Sequence, residues 1–177
     1  MENRTTSPVG KSVPRIDARK KATGEAVYAF DLGLPGMLVG KMLRSPHPHA
    51  RILNIDTSKA QKLEGVAAVI TAEDTFKIKF GSNEFFFPNT VDQMALESEK
   101  VRYIGDEIAA VAAVDEETAQ KALSLISVKY ECLPAVFDAV LAMKPGAPQI
   151  HNAMNNIGVM MPVQFGDADK GLKESDY

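Results

Sequence analysis

Apolar and polar positions change period several times along this chain, and the run at 101–136, VRYIGDEIAAVAAVDEETAQKALSLISVKYECLPAV, is the clearest. Residues 107–114 are almost wholly apolar, the pattern of a strand covered on both faces. Asp115 then stands where a helix would begin, and Glu116 and Glu117 fall in the first turn, where carboxylates favour the positive end of the helix dipole. Ala119, Ala122, Leu123 and Ile126 follow the i, i+3, i+4, i+7 spacing of one apolar helix stripe. Residues 128–131 predict a strand that Pro134 ends.

The same reading extends outward. Residues 26–30 have strand character, with Val27 and Tyr28 suited to a pleated surface, and Gly33, Pro35 and Gly36 punctuate the loop that follows. Residues 37–45 predict a long strand with apolar residues on both faces, and Gly40 in its middle suggests a bulge. The SPHPH run at 45–49 holds two prolines, which forbid helix and keep the chain extended. A strand at 51–56 leads into a short helix at 58–63, capped by Asp56 or Thr57 and ended by a left-handed Gly65. Residues 66–71 form a buried-looking strand. FKIKF at 76–80 and the return at 84–87 suggest a hairpin around a turn at 81–83. Asp138 caps a short helix through Met143, which Lys144-Pro145-Gly146 stops. The closing GDADKGLKESDY predicts a cap and one or two helical turns, and the chain reads as cut rather than completed. Strands and helices without strict βαβ alternation place it in the α+β class.

Length and composition narrow the function. The 177 residues suit one domain with a proper core. A net charge of −3, from 23 acidic and 20 basic residues, speaks against a broad nucleic-acid-binding face. Arg15, Arg19, Lys20 and Lys21 cluster early and read as a solvated lead-in. With Cys132 as the one cysteine, no intrachain disulfide or cysteine-built cluster site can form, and a reducing compartment fits. The polar N-terminus has no secretory apolar core, and no run of about 18 apolar residues spans a membrane. The expected location is cytoplasmic.

Candidate chemistry is sparse. His47 and His49 lie two apart and would face one side of an extended chain, but no further metal ligand stands near them, and His151 is remote. Met143-Lys144 has the look of a carrier-domain turn, yet the lysine follows a predicted helix, so a helix-end lysine is the better reading. Asp167 to Glu174 lacks the ligand spacing of a calcium loop and reads as a helix cap. Cys132 is expected to be a small core residue. Asp106 and Glu107, beside Gly105, fit a turn before a buried strand as well as acid–base chemistry. Phe85, Phe86 and Phe87 cannot all face one core, so a sandwich or a partner surface accounts for them. No phosphate-binding glycine loop or nucleophile elbow is present. From the residues alone, no catalytic, cofactor-binding or metal site is assigned.

Three blocks together carry a resemblance: RIDARKKATGEAVYAFDLGLPGMLVGKMLRSPHPHARILNIDTSKA, then DQMALESEKVRYIGDEIAAVAAVDEETAQKALSLISVKYECLPAV, then KPGAPQIH with GDADKGLKESD. Their order resembles the amino-terminal part of the molybdenum-binding subunit of the xanthine dehydrogenase and aldehyde oxidase family. The resemblance implies an α/β hammerhead, expected here as a mixed sheet with two main helices. It implies a flexible arm at 1–11, the hammerhead at 12–150, and at 151–177 the start of a linker toward molybdopterin-binding domains. The family hydroxylates aldehydes, purines or N-heterocycles, passing electrons from molybdenum to iron–sulfur clusters and often to flavin (FAD). Its molybdenum contacts and active-site glutamate lie in later domains, so no site residue carries over and the chain alone is expected to be inactive. The implied partners are the molybdopterin-binding domains and the iron–sulfur and flavin subunits. A homodimer of the isolated chain is compatible with its exposed surface. The alternative is a free-standing hammerhead that binds other proteins and has no catalytic role.

Overall fold

The computed structural model describes residues 9–81, 91–151, 154–161 and 165–176. The expected turn and return arm at 81–87, with Phe85, Phe86 and Phe87, lie outside the described residues apart from Gly81. The chain divides into two units, Met1–Met37 and Leu38–Tyr177.

Among its described residues the first unit holds one short α-helix, α1 (Ala18–Thr23), which ends on left-handed Gly24 at φ 77°. Asp17 precedes it and pairs with Arg15 at 2.9 Å and with Lys21 at 2.6 Å, so one carboxylate offsets one charge of the basic cluster. Residues 26–30, expected as a strand, are not one. Ala26 N donates to Lys20 O and Tyr28 N to the Asp31 carboxylate, and a 3-10 turn follows at Ala29–Asp31. These backbone donors are satisfied within a few residues, so no ladder forms.

The second unit runs β1 (Val39–Arg44), β2 (Ala50–Asp56), α2 (Ser58–Gln61), β3 (Val66–Thr71), β4 (Lys100–Val101), β5 (Glu107–Ala113), α3 (Glu116–Leu125), β6 (Ser127–Cys132), α4 (Ala139–Ala142) and α5 (Ala168–Glu174). The expected mixed sheet is instead two three-stranded sheets, ordered β1-β5-β3 and β4-β2-β6, and every described pairing is antiparallel. The α+β class stands, since strands and helices do not alternate as βαβ crossovers.

Local signals explain most element ends. Asp115 accepts the Thr118 N–H at 2.7 Å and caps α3. Asp56, rather than Thr57, accepts the Ser58 N–H ahead of α2. Gly65 sits at φ 86°, and a side chain there would meet Val114 Cγ2 at 3.0 Å, so both the left-handed backbone and the close packing call for glycine. Asp138 and Asp167 cap α4 and α5.

The core has two parts that share β5. On one face Ala109, Val111 and Ala113 pack against Ala119, Ala122, Leu123 and Ile126, and the small residues let α3 approach the sheet closely. On the other, Ile108 joins Ala50 and Val101, with Ile52 and Tyr130 packed around them. Ile55 and Val128 touch both clusters. The expected bulge at Gly40 is absent, because Gly40 pairs in register with Ala112. The irregularity falls further along: Leu43 pairs with Ala109 and Arg44 with Glu107, so Ile108 is the extra residue. A bulge bends its strand and re-aims the extra side chain, here into the second cluster. The first strand buries only one face, since Leu38 and Met42 stay exposed. Similarly, β3 is half-buried, with Val69 inward.

Candidate functional site

The three histidines do not converge. The hydroxyl of Ser45 accepts the His47 N–H at 3.0 Å and bends the SPHPH run, so His47 and His49 part company. His47 lies edge-on to Tyr130 at 4.7 Å, with Nδ1 3.6 Å from Cys132 Sγ. His49 is buried and donates from Nδ1 to Pro134 O at 2.6 Å. Cys132 is exposed, not a core residue, because it closes edge strand β6. Lys144 ends α4 through its backbone N–H to Leu141 O. The Asp167 carboxylate accepts the Lys170 N–H at 3.0 Å and so serves as a cap. Glu107 pairs with Arg44 and accepts the Tyr103 hydroxyl. Among the described residues, no group of three or more His, Cys, Asp or Glu is placed to hold a metal ion.

His151 and Asp106 instead belong to an ion cluster built on Arg102. The Arg102 guanidinium donates to Glu97 at 2.9 Å and to Lys100 O at 3.2 Å, while its backbone N–H donates to Asp106 Oδ2 at 2.9 Å. Its Nε stands 3.9 Å from Asp92 Oδ2, and His151 Nδ1 contacts that same oxygen. Lys100 donates to Ile150 O at 2.7 Å. Glu97 and Asp106 are almost completely buried. Burial pushes both carboxyls above the ordinary range, against the pull of Arg102. Burial likewise lowers Lys100, aided by Arg102. The neighbouring Tyr103 hydroxyl is pushed up to about 12 by burial and by Asp106 and Glu107.

Over this cluster runs an apolar groove of about 650 Å³, lined by Pro48, Ile104, Val136, Phe137, Ala139, Met143 and Ile157, with Arg102, Tyr103 and His151 at its polar end. Asn156 holds one wall. It donates to Ala142 O and Pro148 O at 3.0 Å and accepts the Ile150 N–H at 2.8 Å, from a left-handed φ of 64°. Sequence reasoning missed Asp92, Glu97, Arg102 and Asn156. The Asn155-Asn156 pair was a usable signal, because asparagine visits the left-handed region more readily than other side chains. The charged residues gave none, since isolated charges read as solvated.

The lining of this surface is mainly hydrocarbon, and the ion cluster stands at its polar end. Known proteins share this architecture. Residues 23–134 match the family model described as aldehyde oxidase and xanthine dehydrogenase, a/b hammerhead domain. The chain is 44% identical over 162 residues to a probable xanthine dehydrogenase subunit of Bacillus subtilis, covering 92% of this chain and 21% of that protein. It is 35% identical over 177 residues to the gamma subunit of the 6-hydroxypseudooxynicotine dehydrogenase complex of Paenarthrobacter nicotinovorans, covering 96% of this chain and 22% of that one. The aldehyde oxidoreductase of Desulfovibrio gigas superposes with a TM-score of 0.80 at 32% identity, over 93% of this chain and 19% of that one. The chain thus spans about a fifth of the length of these relatives. The match over 23–134, the two-sheet core and these relatives agree, and the chain belongs to the hammerhead domain family of aldehyde oxidases and xanthine dehydrogenases.

Proposed function

We propose that this chain serves as a structural and assembly domain within a molybdenum hydroxylase, supporting a molybdopterin-binding part that is not among its own residues. The observation that carries the reading is the pairing of a hammerhead match over residues 23–134 with relatives about five times as long. The apolar groove and the exposed Phe137, Val140 and Met143 beside it supply a face on which such a part can rest. A phosphorylated pterin calls for converging N–H donors and cations. The groove offers mainly carbon, with Arg102 committed to Glu97, so its residues do not fit that group. The hammerhead is assigned to 12–150 and the lead toward the molybdopterin-binding domains to 151–177. Iron–sulfur and flavin subunits are the further partners in this reading. No helix among the described residues is long and apolar enough to cross a membrane, and the enzyme is assigned to the cytoplasm.

The test is co-expression of the tagged chain with the Bacillus subtilis relative from which the matching fifth has been removed. Co-purification with restored molybdenum content is the expected result, while the tagged chain alone retains no molybdenum and oxidises no aldehyde or purine. A chain that stays alone, with the truncated relative folded and soluble, would refute the assembly reading and favour a free-standing binding module.

A further inference from the structure

The apolar groove adjoins a second, polar pocket. Arg102, Tyr103 and His151 line both the groove and a polar pocket of about 240 Å³ that also contains Asp92, Glu97 and Asp106. The charges here do not balance. With His151 counted as neutral, the three carboxylates of Asp92, Glu97 and Asp106 face two basic groups, Arg102 and Lys100, a formal excess of one negative charge. Among the described residues the other nearby ions do not correct this: Arg44 pairs with Glu107, Arg51 with Glu131 and Lys77 with Glu73, while Lys79 and Glu99, which line an adjoining pocket with Glu97 and Arg102, carry opposite formal charges. His151 lines the same pocket and contacts Asp92. Asp92 is also the carboxylate that a newcomer can reach, with a side chain 25% exposed against 6% for Glu97. The His151 and Arg102 contacts both use Oδ2, so among the described residues no donor occupies Oδ1.

We infer that the groove receives an extended apolar segment carrying one lysine or arginine, whose cation enters the polar end and pairs with Asp92. This names the chemistry of the contact on which the assembly reading rests, and it places the segment in the molybdopterin-binding part of the large subunit. An apolar groove closed by an uncompensated carboxylate selects a partner in two ways. The hydrocarbon lining favours burial of aliphatic side chains, and the excess charge rejects an acidic residue at the end position. The upward push on Glu97 and Asp106 agrees, since negative charge is held there at a cost that an added cation would relieve.

Two nine-residue synthetic peptides test this. Both alternate leucine and serine, and they differ only in a central arginine or glutamate. Titrated into isotope-labelled 177-residue chain, the arginine peptide should shift the resonances of Ala139, Met143 and Ile157 and bind about threefold to fivefold tighter, the range of a part-exposed ion pair. Asp92→Asn should bring the two peptides to equal affinity. Met143→Gln, a neutral polar change at a 48% exposed position, should weaken both while leaving the fold intact. Equal affinities on the unsubstituted chain, absence of binding, or shifts confined to other surfaces would each overturn the inference. The peptides contain no molybdenum-hydroxylase sequence, so their failure is separable from failure of co-purification.

Discussion

Ile108→Ala should destabilise this chain far more than its neighbour on the adjoining strand would suggest. Ile108 is fully buried, and as the extra residue of a bulge it links the β1-β5-β3 sheet to the cluster under β4-β2-β6. Truncation removes three carbon groups, about 2.4 kcal/mol at ~0.8 kcal/mol each. Incomplete collapse of the surrounding side chains raises this to roughly 3–4 kcal/mol, within the range for buried isoleucine-to-alanine changes. With a urea slope near ~2 kcal/mol/M, the midpoint should fall by about 1.5–2 M. Ile70→Ala supplies the control: Ile70 lies on the adjoining strand but is 39% exposed, and its loss should cost under ~1 kcal/mol. Urea unfolding followed by far-UV circular dichroism and by tyrosine emission reads both changes, since the chain has no tryptophan and Tyr130 packs beside Ile108. Equal costs for the two substitutions, or a cost below ~1 kcal/mol for Ile108→Ala, would refute the role given to the bulge.

Two further outcomes follow from local geometry. Asp115→Ala should lower the melting temperature and weaken hydrogen-exchange protection in the first turn of α3, while Asp115→Asn should keep most of both, because its carbonyl can still accept the Thr118 N–H. Undiminished protection in the alanine variant would remove the cap from the account of α3. Glu97 makes a prediction about pH: burial holds its folded carboxyl above the ordinary range, so the unfolded chain ionises first as pH rises. Relative to Glu97→Gln, the unsubstituted chain should therefore lose stability between the ordinary carboxylate value and the higher folded one, then run parallel above it. Paired urea titrations from acid to neutral pH measure this, and a relative gain over that window would show that Arg102 outweighs burial.

The legible elements were those whose causes lie close in sequence. Asp115, the alanine-leucine stripe of α3 and the apolar run of β5 each depend on residues within a turn or a strand length. The strand expected at 26–30 had suitable side chains, but a strand exists only with a ladder partner, and its donors close on Lys20 and Asp31 instead. Gly40 looked like the bulge because glycine permits one, whereas the bulge was placed by how β1 and β5 align. The candidate surface was harder still. Its wall depends on Asn156, and its carboxylates and basic groups come from six separate positions from Asp92 to His151.

The sequence by itself determined most of the strands and helices beyond residue 37, most of their caps and stops, and, through its resemblance, the family. Those follow from backbone preferences and side-chain periodicity over a few residues. Only the tertiary structure decided that the strands divide into two antiparallel sheets and that Ile108 turns into the second core. It also decided that Asp92, Glu97 and Asp106 surround Arg102 below an apolar groove. Pairing partners and neighbouring charges are set by which distant segments meet, and burial, the term that perturbs those charges, arises only once they have packed.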